Sequence, residues 1–175
     1  MNAARSNTKS IQPLLAALRD FDKATVRTEL QRLMAPGAIV HMCHPFGDLP
    51  AEALYDTCFA PLYGAMPDLE RRDTILVSGK TLEGNDWIGC CGSYIGTFAA
   101  SFLDIPPTGH VAHMRFHEFY RIEDGQIVEV QAIWDIPELM IQAGAWPMAP
   151  SLGREWHTPS PIPQDGLLDA TDQTD

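Results

Sequence analysis

Residues 110–144, HVAHMRFHEFYRIEDGQIVEVQAIWDIPELMIQAG, decide how this chain is read. Two runs rich in aromatic and β-branched residues flank Glu123-Asp124-Gly125, which signals a β-hairpin. Its register fixes which side chains share a face, because a slip of one residue turns a whole strand over. A two-residue Asp124-Gly125 loop sets Glu118 opposite Gln131 and mixes polar with apolar side chains on both faces. A three-residue loop, with Gly125 left-handed in a bulge, sets Glu118 opposite Val130 and Phe116 opposite Ala132. One face then reads Met114, Phe116, Glu118, Tyr120 against Val128, Val130, Ala132, Trp134. The other carries His113, Arg115, His117, Phe119 and Arg121 against Glu129, Gln131, Ile133 and Asp135, and is mostly polar. The cleaner segregation selects the three-residue loop.

That register leaves Glu118 as a lone carboxylate on an apolar face. Burial without a partner is costly and raises a carboxyl pKa, the setting of a tuned general acid or base.

Outward from the hairpin, the spacing of Leu14, Leu15, Leu18, Phe21, Leu30 and Leu33 predicts two helices over 11–33, broken around Asp22 to Thr25. A strand is expected over 38–46, ended by Pro45. An amphipathic helix follows over 51–66, kinked or split at Pro61. Residues 69–77 form a strand with charge at its start, and 78–86 a polar connection. Residues 87–98, WIGCCGSYIGTF, read as a strand that Gly89, Gly92 and Gly96 let bend. Residues 99–109 are a loop, and 137–143 a short helical turn. Helices, strand, helix and about four strands make an α+β layout: helices packed on one face of a curled antiparallel sheet, enclosing a cone-shaped pocket. The domain is expected over 9–146, with a Pro-rich acidic tail over 147–175.

At 175 residues the chain suits one domain with a real core. A net charge of −11 argues against a nucleic-acid partner. No apolar run approaches the roughly 20 residues of a membrane span, and no signal-peptide pattern opens the chain, so a cytoplasmic location is expected. Cys43, Cys58, Cys90 and Cys91 lack paired spacing and are expected as thiols. His113 and His117 would stand about 13 Å apart on a strand, so no metal site is expected.

The run from Ile105 to Gly144 resembles the SnoaL-like polyketide cyclases of the nuclear transport factor 2-like superfamily. The resemblance rests on Pro106-Pro107-Thr108-Gly109, on Arg121, Asp124, Gly125 and Ile127, and on Asp135, Gln142 and Gly144. Gly92, Tyr94 and Gly96 also fit. It implies the cystatin-like α+β cone fold, a homodimer, and intramolecular aldol chemistry without metal or cofactor. In this alignment the family's catalytic aspartate position falls on Ala132 and its pocket histidine position on Glu118.

Three residues are the catalytic candidates. Glu118 is first, against a structural role in binding Tyr120 or a buried amide. Asp135 is second, and as a helix N-cap ahead of Pro137 it has a stronger structural alternative. His44 is third: on a strand face with Val40, Met42 and Phe46 it would enter the pocket as a proton shuttle. Tyr94, Phe98, Met114, Phe116, Tyr120 and Trp134 are expected to line the cavity and bind a hydrophobic small molecule. The reading is a cofactor-free enzyme moving a proton next to a carbonyl, by aldol-type cyclisation, isomerisation or dehydration; the resemblance also admits epoxide hydrolysis. The alternatives are a non-catalytic ligand-binding or dimerisation module, and a cone closed by its own aromatic packing.

Overall fold

The computed structural model describes residues 3–20, 22–150 and 152–153. Most of the expected tail, Trp156 included, lies outside the described residues. Two helices lead, α1 (Ala3–Asp20) and α2 (Lys23–Leu33). They break where expected, because the Asp22 carboxylate caps α2 by accepting from the backbone N–H of Ala24 and Thr25, both at 3.1 Å. Their buried stripes, Ile11, Leu14, Leu15 and Leu18, then Val26, Leu30 and Leu33, form the helical side of the core.

β1 (Met34–Met42) and β2 (Asp48–Pro50) follow. The helix expected over 51–66, kinked or split at Pro61, is three short pieces. They are a 3₁₀ turn (Ala51–Ala53), a π-helical turn (Tyr55–Phe59) and α3 (Ala60–Ala65), with Pro61 in the first turn of α3, where its missing N–H costs nothing. Four long strands come next: β3 (Glu70–Lys80), β4 (Asp86–Thr97), β5 (Val111–Glu123) and β6 (Gln126–Trp134). The short α4 (Ile136–Gln142) ends the fold. The six strands form one sheet in the order β2-β1-β6-β5-β4-β3. All neighbours are antiparallel except β1 and β6, which run parallel, so the first long strand sits beside the last. The architecture is the expected α+β one, helices against a curled sheet, with that single parallel pairing as the departure.

The hairpin register departs from expectation. Glu123 pairs with Gln126, so the loop is the two-residue Asp124-Gly125, and φ is positive at both (48° and 77°) as a type I′ turn requires. A bulge then lies between the pairs Ile122↔Ile127 and Arg121↔Glu129, and the extra residue is Val128. The bulge restores the parity that the shorter loop would have reversed. Glu118 therefore faces Ala132 and Phe116 faces Trp134, each displaced by two residues from the expected partner but on the expected face. Val128 leaves the inner face and Ile127 takes its place.

A second bulge, at Thr74 in β3, sends Arg71 and Asp73 inward on one side of it and Ile75 and Val77 outward on the other. Here β4 must come close: a Cβ on Gly92 would lie 2.0 Å from the Arg72 carbonyl oxygen and 2.7 Å from the Phe116 ring. Only glycine fits there.

Candidate active site

The inner faces of β3, β4, β5 and β6 converge on Glu118, which is 2% exposed. It is not a lone acid. Arg71, from β3, donates to Glu118 Oε2 at 2.7 Å and is itself wholly buried. Tyr120 donates to the same oxygen at 2.6 Å. The other oxygen, Oε1, accepts from the Tyr94 hydroxyl and from the Trp134 indole N–H, both at 2.9 Å. Arg71 also donates to the Tyr94 hydroxyl at 2.8 Å and, through Nε, to Asp73 at 3.0 Å. Its guanidinium lies 4.0 Å from the centre of the Phe116 ring, a cation–π contact. Four donors thus occupy a carboxylate that offers about four acceptor positions.

The electrostatic consequence reverses the expectation for Glu118. Burial pushes its carboxyl up, but the Arg71 charge and the donors of Tyr120, Arg71 and Trp134 outweigh it. The group is held below the usual glutamate range, a carboxylate throughout the neutral region. Arg71 is held well above its ordinary value, as the Glu118 charge overcomes the effect of burial. Tyr94 and Tyr120 are pushed well up by burial and by the same negative charge, so both remain O–H donors.

The six residues expected to line the cavity, Tyr94, Phe98, Met114, Phe116, Tyr120 and Trp134, are all buried. Tyr94 packs against Phe116 (ring centroids 4.8 Å) and edge-on to Trp134 (5.5 Å). Three further rings, not among those expected to line the cavity, join them. Phe59 lies 5.5 Å from Trp134, Phe46 meets Trp134 edge-on at 5.8 Å, and Phe46 reaches Phe102 at 6.4 Å. Glu118, Tyr94, Phe98, Phe102, Phe116 and Trp134 are each at most 2% exposed, so their own rings fill the space beside them. Two cavities, of about 250 and 320 Å³, lie elsewhere, on either side of Ala35-Pro36-Gly37 at the start of β1.

The other two catalytic candidates stand apart from this centre. Asp135 is half-buried, caps α4 by accepting from Glu138 N–H (3.2 Å) and pairs with Arg115 (2.6 Å). His44 is exposed in the turn after β1, beyond the strand that was expected to aim it inward. Arg71 is the functional-looking residue the sequence reading missed. Its signal was the alternation Leu69, Arg71, Asp73 on one strand face, together with the need of a buried carboxylate for a cation. Among the described residues, no three His, Cys, Asp or Glu side chains are grouped to hold a metal, and no helix is long and apolar enough to cross a membrane.

Comparison with known proteins gives the chain a context. The family model described as SnoaL-like polyketide cyclase matches residues 14–143. A search of curated proteins finds no match. Among solved structures the chain is similar to AclR of Streptomyces galilaeus, described as a candidate hydroxylase. That pair shares 16% identity over 86% of this chain and 92% of that one, with a TM-score of 0.69. It is similar to IdmH of Streptomyces antibioticus, described as a candidate polyketide cyclase, at 24% identity over 79% and 98% (TM-score 0.63). A SnoaL-like protein from Jannaschia is 20% identical over 85% and 98% (TM-score 0.65). At these identities the likeness concerns the fold.

Proposed function

The chain belongs to the SnoaL-like polyketide cyclase family, and on that premise we propose that it is a cofactor-free enzyme moving a proton next to a carbonyl in an apolar, ring-bearing substrate. One observation carries this reading: four donors converge on a single ionised carboxylate inside an aromatic shell. The substrate displaces Trp134 or Tyr120 from Glu118. Loss of a donor raises the basicity of the carboxylate, which then takes a proton from the carbon beside the carbonyl. Where Tyr120 is the donor displaced, its O–H, held protonated, turns to the oxyanion that develops. Return of the proton at a different atom is isomerisation; attack of the enolate on a second carbonyl is aldol-type cyclisation, and loss of water from the aldol is dehydration.

The test is exchange of the C–H next to the carbonyl in tri- and tetracyclic aromatic ketones dissolved in D₂O, followed by NMR. Wild type is expected to accelerate exchange, and Glu118→Gln to lose at least about 100-fold of it, with ketone affinity changed less than threefold. No acceleration by wild type over buffer sinks the proposal.

A second reading, a ligand-binding module without chemistry, is favoured by the saturation of Glu118: every acceptor position is filled. It requires ketone binding without exchange in both proteins.

The proposed partner, a second copy, is supported by the outer sheet face, where Ile75, Val77, Phe119 and Ile133 (63% exposed) interrupt a polar surface.

A further inference from the structure

We infer that Cys91 and His117 form a reactive site on the outer face of the sheet, where the thiol captures apolar α,β-unsaturated ketones as thioethers and the imidazole acts as its base. The inference does not depend on the chemistry proposed at Glu118. Cys91 Sγ lies 3.0 Å from His117 Nδ1, within hydrogen-bond reach of nucleophile and base. The two residues stand directly opposite each other on β4 and β5, so the sheet itself sets the contact. Thr74, at the β3 bulge, donates its hydroxyl to the Cys91 carbonyl at 3.0 Å and fixes β4 from its other side.

Adjacent cysteines on a strand point to opposite faces, and here their surroundings diverge. Cys90 lies inside, opposite Glu118, and burial pushes its thiol far up. Cys58 is buried too, with its thiol pushed up to about 12. Cys43 is half-buried, and its sulfur is engaged with the Trp134 backbone. Among the described residues, Cys91 is the cysteine that has an imidazole in hydrogen-bond reach and also meets solvent.

The surroundings select the electrophile. Ile75 stands opposite Cys91, Ile133 stands opposite His117, and Phe119 follows on the same face. These side chains are 41%, 63% and 38% exposed, an apolar patch around a soft sulfur. Burial, and the Glu118 charge on the far side of the sheet, hold the Cys91 thiol above its ordinary value, so the resting sulfur keeps its proton. A base in contact then makes it a nucleophile, and the thiolate of a weakly acidic thiol is intrinsically the stronger one. His117 Nδ1 takes the S–H proton as the sulfur bonds to the β-carbon. The C=C electron pair moves toward the carbonyl to give an enolate, and the α-carbon takes the proton back from the imidazolium. A thioether and a neutral histidine remain, and no other reactant is consumed.

The probe is N-phenylmaleimide, an apolar conjugated carbonyl compound, with each labelled cysteine of the folded protein located by peptide mass mapping. Cys91 is expected to react at least about tenfold faster than Cys43, the other thiol that meets solvent. His117→Gln keeps a polar side chain but no base; it should slow Cys91 at least about tenfold and leave Cys43 within about twofold. Cys91→Ser should abolish the fast phase. Thermal melting by circular dichroism checks that each variant is folded. The same face is proposed to meet a second copy, so rates are compared at the dilute limit of a protein concentration series. Cys91 labelled no faster than Cys43 at that limit overturns the site. So does a smaller loss of Cys91 rate in His117→Gln, or a loss shared equally by Cys43.

Discussion

Arg71 and Glu118 hold each other charged at a depth where either alone would be neutralised or expelled, and the consequences can be measured at both. Replacing Arg71 by Met strands a buried carboxylate, which should cost about 3–5 kcal/mol in denaturant unfolding. The same change should carry the Glu118 pKa from below its ordinary value to above it, read by carboxyl-selective NMR titration; a carboxyl that stays low would mean that Arg71 is not its main support. The pH dependence has a definite sign. Because folding lowers the Glu118 pKa, its ionisation stabilises the protein above the unfolded value of about 4.3 and ceases to do so as pH falls through the lower, folded value. The stability gap between wild type and Glu118→Gln should therefore narrow below about pH 4.3; a gap constant down to pH 3 contradicts it. The burial of Glu118 was legible in the strand alternation. Its charge state was not, because the partner lies 47 residues earlier, on a strand whose Glu70-Arg71-Arg72-Asp73 run reads as a solvated surface.

Elements carry most of what was legible. Most of the residues behind the family resemblance turn out to shape the backbone, Tyr94 at Glu118 being the exception. Asp124 and Gly125 make the type I′ turn, and Arg121 pairs with Glu129 beside the bulge. Asp135 starts α4 and Gly144, at φ 66°, ends it. Gln142 clasps α4 to β5, accepting from His113 N–H (3.0 Å) and donating to His113 C=O (2.7 Å). Such a motif announces a fold before a reaction, which is why the architecture could be read and the chemistry could not. The face assignment survived a wrong loop length because hydrophobic alternation reports faces, while the bulge that reconciles loop and face leaves no separate mark. Phe46 was expected to continue the alternation of β1 but lies in the turn beyond it, and Phe102, in a loop, belongs to no period at all. Three substitutions test the element-level account by thermal or urea melting. Gly92→Ala drives a methyl into the Arg72 carbonyl and should cost at least about 3 kcal/mol, whereas Gly79→Ala, with open space around it, should stay within about 0.5 kcal/mol. Asp135→Ala removes the α4 cap and should cost about 1 kcal/mol; no loss would leave α4 held by Gln142 alone.

At the scale of the molecule, the helices cover one face of the sheet and leave the other to solvent or to a second copy. Sedimentation at micromolar concentration should show a dimer, and Ile133→Asp together with Phe119→Asp should return it to a monomer without loss of helix content; a wild-type monomer removes the proposal. The parallel pairing of β1 with β6 has a different consequence, one for synthesis. Ile39 lies beside Glu129, so one edge of β1 must wait until some ninety further residues have left the ribosome. Until then β1 has only β2 to pair with. A nascent chain stalled before residue 126 therefore presents an open strand edge to its neighbours, and the last strand to emerge is the one that locks the first in place.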